Sequence, residues 1–128
     1  MERVTGIGGI FFKAKNPARL AAWYKKHLGL TFENETVAVF HWKKGSSKAN
    51  PGSTVWSVME KNTKYFAPSK SPFMVNYRVA NLKKLIALLK KEGVKIDKNI
   101  EESEFGKFGW VMDPEGNRIE LWEPPKGW

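Results

Sequence analysis

An acid set inside an otherwise apolar strand is where chemistry would start in this chain. Glu120 lies in Asn117–Glu123, NRIELWE, and strand alternation puts Arg118, Glu120 and Trp122 on one face with Ile119 and Leu121 on the other. If Glu120 is buried among Trp56, Trp110 and Trp122, loss of water favours its neutral form and poises it as a general acid or base. If it pairs instead with Arg78 or Lys13, its proton affinity falls and it becomes a structural ion pair. His27 and His41 could also move protons, but no acid or nucleophile is spaced to activate either, so both are expected to be structural. The sequence holds no Ser-His-acid set, phosphate-binding glycine loop or dinucleotide fingerprint. It has no cysteine, which removes thiolate catalysis, thiolate metal sites and disulfides together.

The elements around Glu120 can be read from local signals. Asp113-Pro114-Glu115-Gly116 has the residues of a type I turn, so Phe105–Met112 and Asn117–Glu123 form a hairpin. Earlier, Val4–Ala14 alternates as a strand, with Ile10, Phe12 and Ala14 on one face and Gly9, Phe11 and Lys13 on the other. Asn16-Pro17 is an N-cap followed by a proline tolerated at the first helical position, and Gly29 ends that helix. Its apolar stripe is expected to be Leu20, Trp23, Tyr24, His27 and Leu28. Leu30–Phe32, Thr36–Trp42 and Thr54–Glu60 are predicted strands, with the flexible, basic segment Lys43 to Ser53 between the last two.

After a polar loop, Lys61–Pro72, the pattern starts again. Phe73–Val79 alternates, Asn81 takes the N-cap position, and Leu82, Leu85, Ile86 and Leu89 form a helical stripe before Gly93. Val94–Ile96 and the hairpin complete a second strand-helix-strand-strand-strand unit. The expected fold is therefore α+β, one domain over residues 1–128 made of two βαβββ repeats at about 4–60 and 72–124. The repeats are expected to pair into an eight-stranded mixed sheet enclosing a cleft, with the helices outside. Offsetting the halves matches Gly9 with Met74, Phe11 with Asn76 and Lys13 with Arg78, while matching Val55-Trp56-Ser57 to Ile119-Glu120-Leu121 pairs Trp56 with Glu120.

With 128 residues, 41% of them hydrophobic, the chain is large enough for one core. Its net charge of +9 is spread over short lysine pairs typical of solvated helix faces, with no nucleic-acid-binding motif beside them. The expectation is a soluble, cytoplasmic protein with no nucleic-acid or membrane partner. Trp128 with Pro124-Pro125 offers an apolar tail for a twofold contact, so a homodimer is expected.

The strings Gly8-Gly9-Ile10-Phe11-Phe12 leading to Asn16-Pro17, Trp23-Tyr24 with His27-Leu28-Gly29, and above all Asp113-Pro114-Glu115-Gly116-Asn117-Arg118-Ile119-Glu120-Leu121, resemble the vicinal oxygen chelate superfamily. That superfamily includes glyoxalase I, bleomycin-resistance proteins, fosfomycin-resistance enzymes and extradiol dioxygenases. The resemblance implies paired βαβββ modules and, in metal-dependent members, four His, Glu or Gln ligands. Those positions map to Gly9, Trp56, Met74 and Glu120, of which only Glu120 suits a hard divalent ion, so no metal cofactor is expected. The expected function is metal-free capture of a small hydrophobic or aromatic molecule, including an anionic one, by Phe11, Lys13, Trp56, Met74, Asn76, Arg78, Trp110 and Trp122. A lyase, isomerase or dioxygenase using Glu120 as metal ligand or base is the alternative, and an interaction protein with a filled cleft and a basic surface is a second.

Overall fold

A computed structural model describes residues 3–42 and 51–128. Residues 43–50, most of the segment read above as flexible, lie outside the described residues, as do residues 1–2.

In chain order the elements are β1 (Gly6–Ala14), α1 (Pro17–Leu28), β2 (Val37–His41), β3 (Ser53–Glu60), β4 (Phe73–Arg78), α2 (Leu82–Lys91), β5 (Glu101–Ser103), β6 (Gly106–Met112) and β7 (Arg118–Glu123). The strands form one mixed sheet in the order β2-β3-β1-β4-β7-β6-β5. The halves join where β1 runs antiparallel to β4, and within each half the first strand lies parallel to the last, β1 to β3 and β4 to β7. The α+β class and the curled mixed sheet follow the sequence reading.

The strand count does not, since seven strands are present among the described residues rather than eight. Leu30–Phe32 makes only the isolated bridge Phe32 to Ala38, and Val94–Ile96 only the bridge Ile96 to Val111. In the second half the extended pairing is made further on, by Glu101–Ser103 against β6. Its polar, exposed side chains carry no apolar alternation to signal a strand.

Local chemistry places the helices where their caps demand. The Asn16 side chain accepts from the Arg19 N–H at 3.1 Å, and Asn81 accepts from Lys84 N–H at 3.0 Å, each satisfying a first-turn donor that the helix cannot. Gly29 closes α1 in the left-handed conformation, φ 71°, which is nearly free of cost only for glycine. α2 buries its expected stripe: Leu82 and Leu85 pack with Val79, Val111 and Leu121, flanked by Ile86 and Leu89.

α1 does not bury its expected stripe. Pro17 and Ala21 are its buried residues, while Trp23, His27 and Leu28 are exposed, Trp23 by 51%. The small Ala21 lets the helix approach the sheet, and Tyr24 then meets Phe12 and Trp56, with ring centroids at 6.2 and 4.9 Å. That rotation carries Trp23 outward.

Candidate ligand-binding cavity

The face of the sheet opposite the helices curls around a cavity of about 490 Å³. Its walls come from Phe11 on β1, Val37 and Val39 on β2, Val55, Ser57 and Met59 on β3, and Trp122 on β7. Phe108 on β6 stacks on Trp122 at an interplanar angle of 10°, and the Trp122 N–H donates to Phe105 O at 2.8 Å, so this wall is fixed. Phe105, Trp128, Glu33 and Asn34 also line it.

Polar atoms converge at one place. Register sets Glu120 between Asn76 on β4 and Trp110 on β6, and the side chain is 1% exposed. Its Oε2 accepts from Asn76 Nδ2 at 2.9 Å, and its Oε1 accepts from the Tyr65 hydroxyl. An acid removed from water without such donors would cost several kcal/mol, so the pair of donors is what makes its burial tolerable. Burial nonetheless raises the Glu120 pKa above the ordinary carboxylate range, opposed by the hydrogen bonds from Tyr65 and Asn76 and by the nearby Arg118 charge. Tyr65 shifts upward as well, first through burial and then through the adjacent carboxylate, and so stays a hydroxyl donor.

Tyr65 comes from the loop between β3 and β4, and Arg118 holds that loop in place. Its guanidinium donates to Tyr65 O, bonds Asp97 Oδ2 at 3.1 Å and lies 4.7 Å from the Trp110 ring centre. Ser71 Oγ adds a bond to Asn117 Oδ1 at 2.6 Å. Asn117 is fixed in turn by the Asp113 turn, where Asp113 Oδ1 accepts from the N–H groups of Glu115 and Asn117 at 2.9 Å and Gly116 has φ 84°.

Of the residues singled out in the sequence, Phe11, Asn76, Glu120 and Trp122 line the cavity. Met74 and Trp110 are buried behind it in a cluster with Phe11 and Phe66. Arg78 is buried between the rings of Trp42 and Trp122, at 5.1 and 5.3 Å, and reaches Ser53 O at 3.3 Å. Lys13 stands 5.2 Å from the Phe66 ring centre and faces a separate groove with Lys15, Arg19 and Trp23.

Trp56 is misplaced by the sequence reading. β3 pairs with β1 so that Ile10 faces Trp56 and Phe11 faces Ser57, which puts Trp56 on the helix side against Phe12, Tyr24 and Phe32. Since Asn76 faces Glu120 in the second half as Phe11 faces Ser57 in the first, Ser57 is the counterpart of Glu120. A one-residue slip in strand register exchanges the two faces, and STVWSVME is apolar enough on both to hide the slip. The positions corresponding to the superfamily's ligands are then Gly9, Ser57, Met74 and Glu120. They offer one carboxylate, already engaged by two donors, and no group of three or more His, Asp or Glu lies together among the described residues. This donor set does not fit a divalent metal.

Tyr65 escaped the sequence reading because its loop has no periodicity to fix a face. Ser57, Val55 and Met59 were hidden by the slip. Val37 and Val39 alternate within β2 and could have been assigned to a wall from that alone.

The molecule is thus a curled sheet of paired modules around a cavity, with one buried acid in the cavity's lining. The chain belongs to the Glyoxalase/Bleomycin resistance protein/Dioxygenase superfamily, whose pattern it matches over residues 6–121. Among solved structures it is similar to a single-residue variant of Streptomyces coelicolor methylmalonyl-CoA epimerase in complex with 2-nitronate-propionyl-CoA, at 15% identity and TM-score 0.70, covering 94% of this chain and 98% of that one. It is also similar to methylmalonyl-CoA epimerase from Mycobacterium tuberculosis, at 17% identity and TM-score 0.64, covering 97% and 91%. A superfamily member from Vibrio splendidus 12B01 aligns at 10% identity and TM-score 0.60, covering 91% and 97%. At these identities the likeness is one of fold. No curated protein matches the sequence.

Proposed function

We propose that this protein captures a small, largely apolar, ring-bearing molecule in the cavity between its two halves, without a metal ion. The observation that carries this reading is the cavity itself, about 490 Å³ and walled by Phe11, Val37, Val55, Met59, Phe108 and Trp122. That volume lies within the range of about 300–1,000 Å³ usual for small-molecule sites, and aromatic walls favour planar ligands. Because Trp122 and Trp128 line the cavity, occupancy should be visible in intrinsic fluorescence. Titration with one- and two-ring aromatic compounds is expected to give saturable quenching at one site per chain, abolished by Ser57→Phe. Linear, non-saturating quenching across such a panel would refute the reading.

A second reading rests on one specific observation, the raised proton affinity of Glu120 beside a Tyr65 hydroxyl. An acid of this kind within reach of a bound molecule could act as general acid or base in a metal-free lyase or isomerase reaction. Turnover of a captured ligand that disappears in Glu120→Gln, with binding retained, would select this reading over simple capture.

A further inference from the structure

Asn76 can orient its amide in two ways, and Glu120 decides between them. In its ionised form Glu120 only accepts, so Asn76 turns its Nδ2 toward Oε2 at 2.9 Å. The Asn76 carbonyl must then face away, and its Oδ1 is buried with no donor from any described residue. It packs against Gly8, where a Cβ would stand 2.1 Å from Oδ1, so only glycine leaves room for the amide, and both residues line the cavity. A buried acceptor left without a donor carries a desolvation penalty, and in a site lined by the same residue a ligand donor can remove it.

The charge of the surroundings points the same way. No Lys or Arg lines the cavity among the described residues. Arg78, the cation nearest in the sequence reading, is turned into the Trp42–Trp122 sandwich and bonded to Ser53, while Lys13 faces the other groove. Among the described residues the charged side chains on the cavity are Glu120 and Glu33, both acids.

We propose that the cavity selects ring-bearing ligands carrying a neutral O–H or N–H donor, which the Asn76 carbonyl receives, and that it rejects carboxylates and other anions. The proposal rests on the capture reading above and specifies its ligand class. It replaces the expectation that an anionic ligand would be steered by Lys13 and Arg78. Asn76 is then a specificity-determining residue, and Glu120 positions it. Burying an acceptor opposite an analogue without the donor is a strong means of discrimination, because the unpaired group stays unpaired.

The test compares naphthalene, 2-naphthol and 2-naphthoate, which share a ring system and differ at one substituent, by isothermal titration calorimetry at neutral pH on the full chain. The expected result is that 2-naphthol binds about tenfold tighter than naphthalene, the gain from one buried hydrogen bond, with 2-naphthoate weakest. In Asn76→Leu the naphthol preference should fall below about twofold. Equal binding of naphthalene and 2-naphthol by the wild type overturns this inference and leaves capture standing, so the wild-type comparison decides even if the variant does not fold. Tightest binding by 2-naphthoate also overturns it, because the amide would then present its N–H to the ligand. Absence of binding by all three, while other aromatic compounds saturate, removes the proposed ligand class, and absence with every aromatic compound removes the capture reading itself.

Discussion

In the first half of the sheet Phe11 pairs with Ser57, and in the second Asn76 pairs with Glu120. The surrounding positions diverge in the same direction. β3 offers Val55, Ser57 and Met59 to the cavity, whereas β7 offers Glu120 and Trp122, with Tyr65 brought to Glu120 by a loop. One repeat therefore supplies an apolar wall and the other supplies hydrogen bonding. The helices differ too: α2 covers an aliphatic core of Leu82, Leu85, Val79, Val111 and Leu121, while α1 buries only Pro17 and Ala21 and leans on an aromatic cluster. A duplicated unit can divide labour in this way because backbone pairing holds the scaffold while side chains on the cavity face remain free to differ.

The largest effect should come from the helix contrast. Leu85, 2% exposed in the second-half core, is expected to cost about 2–5 kcal/mol when replaced by Ala, through lost burial and the cavity left behind. Leu28→Ala, at a side chain 61% exposed near the end of α1, should change stability by less than about 0.5 kcal/mol. Denaturant unfolding of the two variants measures both. Comparable losses would mean that α1 buries more than its contacts indicate.

Next in size is the register contrast within β3. Trp56→Ala removes a ring packed on Phe12, Tyr24 and Phe32 and should destabilise the fold by about 3 kcal/mol. Its neighbour behaves oppositely. Ser57→Phe fills space in the cavity and should abolish aromatic ligand binding at a stability cost of roughly 1–2 kcal/mol. If Trp56→Ala instead abolished binding with the fold intact, the side-chain assignment of β3 would be reversed.

This pair also marks how far the sequence could be read. Capping residues Asn16 and Asn81, the Asp113–Gly116 turn and the α2 stripe have local causes, so they were legible, and with them the α+β plan. Glu120, Asn76, Phe11 and Trp122 were legible as cavity residues because alternation in β1, β4 and β7 is unambiguous. Trp56 was not, since both faces of β3 carry apolar residues and only pairing with β1 sets its register. Tyr65 and the buried state of Arg78 depend on contacts between distant segments, Tyr65 with Glu120 and Arg78 with Trp42, which no local pattern encodes.

The electrostatic side of the comparison has a pH signature. Burial raises the pKa of Glu120, so its folded-state value exceeds the unfolded one. Stability from the neutral acid is fully present below the unfolded pKa and is lost as pH rises through the folded pKa. Glu120→Gln, uncharged throughout, lacks that loss, so wild-type stability relative to the variant should decline as pH rises through the folded-state pKa. Denaturant midpoints collected for both proteins from mildly acidic to alkaline pH test this. A difference that stays flat, or grows with pH, would indicate that Tyr65 and Asn76 fully compensate the buried charge.

A modest effect on stability, and the most informative about access, belongs to Trp128. The chain leaves β7 in the second half and ends against the first: Ser53 Oγ donates to Trp128 O at 3.3 Å, and the Trp128 ring lies 5.7 Å from that of His41. Trp128 lines the cavity at 37% exposure, so its removal forfeits one weak hydrogen bond and the packing of a partly buried ring. Truncation after Gly127 should therefore cost about 1–2 kcal/mol. Ligand release should respond more, because Trp128 supplies part of the wall that the apolar and hydrogen-bonding halves share. Dissociation of a bound two-ring ligand, followed by stopped-flow fluorescence, is expected to accelerate about threefold to tenfold with little change in association, since affinity differences within one site fall mainly on the off-rate. An unchanged off-rate would assign closure of the cavity to the two halves alone.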